Sequence, residues 1–180
     1  MTSLPTPELS RPIKVKALPA EPVTVEADVA EREALASRFG LSAIDSLRAE
    51  IDLKMRGNGI RATGILNSAF HQACAISGED FPVVIDEALD LRFVESETLA
   101  LAGTEEEEIE VELDAEDCDD IEYSGDTFDL GEAVAQTLGL AIDPYPEGPA
   151  ADEARKNAGI TAEGEQDGPL ADMLRGLKDS

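Results

Sequence analysis

The sequence predicts an α+β fold: a meandering antiparallel β-sheet, open or barrel-like, with two to three packed helices and acidic loops. Three observations lead there. Apolar and polar residues alternate through residues 47–56 and again from Ile60 on, either side of Gly57-Asn58-Gly59; that is the period of a half-buried strand on each arm of a tight reversal. Two carboxylate pairs three residues apart, Asp28 with Glu31 and Asp129 with Glu132, precede apolar residues at helical spacing, the pattern of a capping box. The chain also has no Lys or Arg between Arg92 and Arg155, but 21 acidic side chains there, which calls for solvated loops.

Each element follows in order. The opening, residues 1–11, is polar and Pro-containing and is expected to be a flexible N-terminus. Ile13, Val15 and Ala17 alternate with Lys14 and Lys16, and Val23 and Val25 alternate with Thr24 and Glu26, so two short strands are expected. Leu35 and Phe39, four apart before Gly40, complete a helix from about Val29 to Phe39. In the next strand Leu47, Ala49, Ile51, Leu53 and Met55 face one side, and Arg48, Glu50, Asp52, Lys54 and Arg56 the other. Ile60, Ala62, Gly64 and Leu66 resume the alternation on a return strand ending near Gln72. Val83, Ile85, Leu89, Leu91 and Phe93 keep the period of two in a third strand, with Glu87 on their face. Three long neighbours joined locally imply an antiparallel sheet with one wet face.

Glu105–Glu108 reads as disordered, Ile109, Val111 and Leu113 as a short edge strand, and residues 114–126 as loop. Leu130, Ala133, Val134, Thr137, Leu138 and Ala141 form the apolar stripe of a second helix, which Asp143-Pro144-Tyr145-Pro146 ends. The expected organisation is a single α+β domain over residues 12–146, a linker over 147–168, and a short amphipathic segment over 169–180 carrying Leu170, Met173, Leu174 and Leu177.

Composition narrows the function. Apolar residues make up 42% of the chain, enough for a core, while aromatics are 4% with no Trp, so that core is aliphatic. No secretory signal and no run of about 20 apolar residues is visible. Two cysteines suit a reducing compartment, so a cytoplasmic protein without membrane contact is expected. Residues 1–72 hold nine basic and nine acidic groups; residues 73–180 hold five and 31, which is the whole formal charge of −26. Such a field repels phosphate within a screening length of about 8 Å. It attracts cationic partners and opposes direct contact with a nucleic-acid backbone, which requires Lys and Arg to displace counterions.

Chemistry-bearing motifs are few. His71 is the one histidine and lies three residues before Cys74, on opposite faces if the strand continues. A zinc site needs about four ligands, and Cys118 is the one other sulfur or imidazole ligand available. Asp114, Glu116, Asp117, Asp119 and Asp120 resemble a calcium loop until its sixth and twelfth positions, which hold Asp119 and Gly125 instead of Gly and Glu. No Gly-rich phosphate loop, nucleophile elbow or dinucleotide fingerprint occurs. No cofactor, no small-molecule substrate and no catalysis are expected.

Several segments nevertheless carry a likeness. Ala34-Leu35-Ala36-Ser37-Arg38-Phe39-Gly40-Leu41, the strand through Arg56, Gly64, and the stretch from Cys74 through Ser77 to Pro82 come first. Phe128-Asp129-Leu130-Gly131-Glu132-Ala133 running into Asp143-Pro144-Tyr145-Pro146 is the strongest, and Gly168-Pro169-Leu170 opens the last. Together, over roughly residues 12–177, they resemble the YceD family of large-ribosomal-RNA-accumulation proteins in its alphaproteobacterial form. The resemblance implies a non-catalytic bacterial ribosome-biogenesis factor that supports accumulation of large-subunit ribosomal RNA. Many members carry Cys-x-x-Cys where this chain has Cys74 and Ser77, so a zinc or redox role is not carried over.

Combined with the charge, this points to a basic ribosomal protein or assembly factor as the partner, with ribosomal RNA engaged indirectly. The interaction candidates are Cys74, Ser77, Asp129, Leu130, Glu132, Asp143, Pro144, Tyr145 and Pro146. Two alternatives stand beside this reading: a direct RNA-binding module using Arg48, Lys54 and Arg56, and an acidic nucleic-acid mimic.

Overall fold

The computed structural model describes residues 7–96 and 119–160. The chain folds as α+β, with strands β1 (Pro12–Lys14), β2 (Val23–Glu26), β3 (Ala43–Arg56), β4 (Gly59–Ala73), β5 (Asp80–Glu95), β6 (Asp119–Tyr123) and β7 (Thr127–Asp129). The helices are α1 (Val29–Phe39), α2 (Leu130–Ala141) and α3 (Ala151–Asn157). One five-stranded sheet has the order β2-β3-β4-β5-β6, and β1 pairs with β7 in a separate ribbon. The sheet is open, with β2 and β6 at its edges, so the barrel-like alternative is not realised.

The chain divides into two compact units, Met1–Gln72 with Pro82–Pro144, and Ala73–Phe81 with Tyr145–Ser180. This differs from the expected single domain over residues 12–146. Sequence periodicity marks elements; it does not mark which strand ends and turns cluster with each other.

In the first unit, β3 and β4 form a long hairpin in continuous register from Ser46↔Ala69 to Arg56↔Gly59. A two-residue turn, Gly57-Asn58, closes it. Gly57 alone has positive φ, 62°, which matches a type II′ reversal with Gly at its first central position. Leu47, Ala49, Ile51, Leu53, Ile60, Ala62, Leu66, Phe70, Leu89, Leu91 and Phe93 bury the inner face, joined by Leu35 from α1 and Leu130, Val134 and Leu138 from α2. Phe93 and Phe128 meet with ring centroids 4.3 Å apart. Met55 departs from its strand's pattern: it lies at the hairpin tip, 60% exposed, beyond the reach of the helices.

Helix α1 has the predicted bounds and a complete capping box. Asp28 Oδ1 accepts the Glu31 N–H at 2.9 Å and Glu31 Oε2 accepts the Asp28 N–H at 2.8 Å. Helix α2 is capped by Asp129 alone, whose Oδ1 accepts from Gly131 at 2.9 Å and Glu132 at 3.2 Å. The second half of the expected box is absent because Glu132 turns to Arg38, at 3.0 Å.

Other expectations are corrected. Residues 9–11 are not a loose tail: Leu9 is fully buried, Ser10 Oγ donates to Asp129 Oδ2 at 2.6 Å, and the Arg11 N–H donates to Asp129 Oδ1 at 2.8 Å. The first strand stops at Lys14, and Val15–Ala17 form a 3-10 turn. Part of the expected loop 114–126 is strand: Asp119–Tyr123 pairs with Leu91–Glu95 in parallel, so the sheet is mixed where a wholly antiparallel one was expected. Residues 151–157 of the expected linker form α3. The expected disorder at Glu105–Glu108, the edge strand at 109–113 and the segment 169–180 lie outside the described residues. No helix among the described residues is long and apolar enough to cross a membrane.

Candidate functional site

One concavity of the first unit lies between strands β5 and β6 and helix α2. It has a volume of about 540 Å³. Leu89 and Leu91 of β5 and Ile121 of β6 line the sheet side. The helix contributes Ala133, Gln136, Thr137, Leu140 and Ala141, one face at spacings of three and four. Leu140 is 82% exposed. The charged lining residues are Glu87, Asp90 and Asp120, all carboxylates. Glu87 shares the strand parity of Leu89 and Leu91 and remains exposed.

The outer face of the sheet carries the residues proposed for RNA contact. Arg48 is 4.0 Å from Glu26, and Arg61 forms a fork with Asp90 at 2.8 and 2.7 Å. Arg92 lies 3.7 Å from Asp120 and donates to Asn58 Oδ1 at 2.7 Å. Lys54 and Arg56 are exposed near the hairpin tip, with Lys54 opposite Arg61 in register. Carboxylates therefore interleave this face, which lowers the positive potential a phosphate would meet.

The residues around α2 are engaged in holding the fold. Asp129 ties the helix N-terminus to Ser10 and Arg11, Leu130 is fully buried, and Glu132 accepts both Arg38 Nη groups, at 3.0 and 3.1 Å. The hydrogen bond to Glu132, more than any other contact, holds the Arg38 guanidinium above its usual range. Asp143 and Pro144 are exposed and end the first unit.

Within the second unit, Pro146 is buried and its carbonyl accepts the Ala75 N–H at 2.8 Å, while Tyr145 is 78% exposed. The turn after β4 closes through Cys74 N–H to Glu79 O and Gly78 N–H to Cys74 O, both 2.9 Å. Cys74 is 3% exposed, and its Sγ accepts from the Ile76 and Ser77 N–H groups at 3.4 Å. The Ser77 hydroxyl and N–H, then the Gly148 N–H, favour the thiolate and bring this thiol from 9.0 to about 7. Ser77 thus serves the sulfur as a donor. Among the described residues no three His, Cys, Asp or Glu side chains gather as metal ligands.

Compared with family models, curated proteins and solved structures, the chain matches none. The geometry itself therefore carries the functional argument. Sequence reasoning singled out the outer cations and the α2 motif but missed the groove. Two signals pointed to it: Glu87 on an apolar strand face, and Leu140 away from the buried stripe of its helix.

Proposed function

We propose that this protein is a non-catalytic, cytoplasmic binding factor of the YceD type. It supports accumulation of large-subunit ribosomal RNA by engaging a basic ribosomal protein or assembly factor. The observation that carries the reading is the separation of charge. All of the net −26 arises beyond residue 72, and the cations of the outer sheet face are interleaved with carboxylates. A molecule so charged draws a cationic protein to it and holds a free polyanion away. Indirect engagement of ribosomal RNA, through a protein that itself binds RNA, is consistent with both facts. The nucleic-acid mimic has less support, since it calls for carboxylates in a rigid row and three of the outer-face acids, Glu26, Asp90 and Asp120, are paired with arginines.

Crosslinking within large-subunit precursor particles tests this. Crosslinks from acidic residues between Glu95 and Asp129 to lysines of a ribosomal protein or assembly factor are the expected result. Crosslinks to RNA alone, through Arg48, Lys54 or Arg56, would replace it with the direct RNA-binding reading.

A further inference from the structure

We infer that the outer face of the sheet docks a short basic segment of the partner protein, laid on Ile65 with its lysine or arginine heads between Glu50, Asp52 and Asp86. This rests on the reading of a basic protein partner and adds the surface that such a partner uses.

The face is open. Helices α1 and α2 pack against the core on the other side of the sheet, while Ile65 and Val84 stand 55% and 74% exposed on this one. In the β3–β4 register Glu50 lies opposite Ile65 and Asp52 opposite Thr63. On the other flank of β4, Arg61 reaches Asp90 and Asn67 reaches Asp86, so Thr63 and Ile65 lie alongside the exposed Ala88. Thr63, Ile65 and Ala88 form a shallow uncharged strip, with Glu50 and Asp52 along its β3 side and Asp86 on its β5 side. Two strand spacings separate those sides, about 10 Å.

Charge decides the occupant. Three acids of this face have arginine partners: Glu26 with Arg48, Asp90 with Arg61 and Asp120 with Arg92. Among the described residues Glu50, Asp52 and Asp86 are in no ion pair, and Asp86 accepts from the neutral Asn67 amide. A phosphate laid on the strip would meet these three carboxylates and be repelled. A lysine or arginine is suited to it, since its aliphatic stem covers Ile65 and Ala88 while the charged head stays at the rim among the oxygens. Lys54 stands opposite Arg61 in register and closes the strip toward the hairpin turn. One or two cations around an apolar residue therefore fit, and an unbroken run of lysines does not.

Full-length methyl-labelled protein titrated at low salt with the capped peptide Gly-Lys-Ser-Val-Ser-Lys-Gly tests the inference. Extended, this order points both lysines and the valine to one face at steps of about 7 Å. The isomer Gly-Ser-Lys-Val-Lys-Ser-Gly sends them to opposite faces and is the control. The expected result is methyl shifts at Ile65 and Val84, with about fivefold tighter binding of the first peptide. Glu50→Gln combined with Asp52→Asn should weaken that binding about fivefold, and Ile65→Thr about threefold. Glu33→Gln combined with Glu153→Gln removes the same charge from exposed positions elsewhere and should leave it within about twofold. Equal binding of the two isomers without shifts at Ile65 and Val84 overturns the docking face and leaves the basic-partner reading intact. Failure of both peptides to bind overturns the face and counts against that reading as well. A single-stranded RNA of about 12 nucleotides that shifts these methyls where the peptides do not assigns the face to nucleic acid. Shifts that grow with protein concentration alone assign it to a second copy. Either result overturns the proposal.

Discussion

Arg11 and Glu31 meet as a two-pronged ion pair, Nη1 to Oε1 at 2.7 Å and Nη2 to Oε2 at 2.9 Å. The same guanidinium donates to the carbonyl of Glu26 at 2.9 Å, and the same carboxylate completes the capping box of α1. One pair therefore joins the segment before β1, the end of β2 and the start of α1. The Arg11 hydrogen bond, first among its causes, holds the Glu31 carboxyl below its ordinary 4.5.

That direction fixes a pH dependence. A carboxyl whose folded pKa is depressed stabilises the fold fully above its unfolded pKa and loses that contribution as pH falls through the folded value. Glu31→Gln should therefore lower stability by about 1 kcal/mol at neutral pH, the range for a well-oriented, half-exposed pair. The gap between wild type and variant should close as pH falls below 4.5 and through the depressed folded value. Paired urea titrations read it, and the difference is the informative quantity, because protonating 40 acidic side chains also relieves general repulsion.

Asp129 has a larger duty. Its carboxylate caps α2 and also accepts from the Ser10 hydroxyl and the Arg11 N–H, so Asp129→Ala removes the cap and orphans a partly buried backbone donor. A loss of about 2–4 kcal/mol is expected from the two effects together. Asp129→Asn keeps one acceptor oxygen and should lose about half as much. Thermal or urea unfolding followed by circular dichroism measures both; equal losses would mean that charge, not acceptor geometry, holds the joint.

Local signals made most of the fold legible. Helix α1 was readable end to end because its cap, apolar spacing and terminal Gly40 all agree, and β3 with β4 because alternation runs unbroken through both arms of the turn. The failures share a cause, which is that tertiary contact overrode local composition. Leu9 looks like an isolated apolar residue in a polar tail, and only the fold supplies the core that buries it. Asp119–Tyr123 is acid-rich, and its strand exists because β5 offers an edge to pair with. The candidate groove was hidden for the same reason: Glu87, Asp120 and Leu140 come from three separate elements.

Gly64 looks unremarkable in an alternating strand, yet its backbone lies against β3. A Cβ placed there would sit 2.1 Å from the Glu50 carbonyl oxygen and 3.0 Å from the Ile51 Cα, and neither backbone atom can move without disturbing the hairpin register. Gly64→Ala should therefore destabilise by about 3 kcal/mol or more, although alanine is ordinarily harmless in place of a strand glycine. Ile65→Thr, at a 55% exposed neighbour, should stay within about 0.5 kcal/mol. Urea midpoints for the pair test the close approach, and a tolerated Gly64→Ala would show that β3 and β4 sit farther apart.

Cys74 sits among hydrogen-bond donors, so its thiolate should be measurable near neutrality. With Cys118→Ser leaving one thiol, ultraviolet absorbance of the thiolate is expected to titrate with a midpoint of about 7. Ser77→Ala removes the hydroxyl that does most to favour the thiolate, and the midpoint should move up toward the ordinary range. Because the folded thiol is more acidic than an unfolded one, it stabilises the fold fully above the unfolded pKa, and this contribution is lost as pH falls through about 7. Wild type should accordingly gain stability over Cys74→Ala as pH rises between about 7 and 9. Alkylation by iodoacetamide should still be slow, since the sulfur belongs to a residue only 3% exposed and attack requires access as well as charge. A midpoint that does not respond to Ser77→Ala would mean that backbone N–H groups alone set the acidity of this turn.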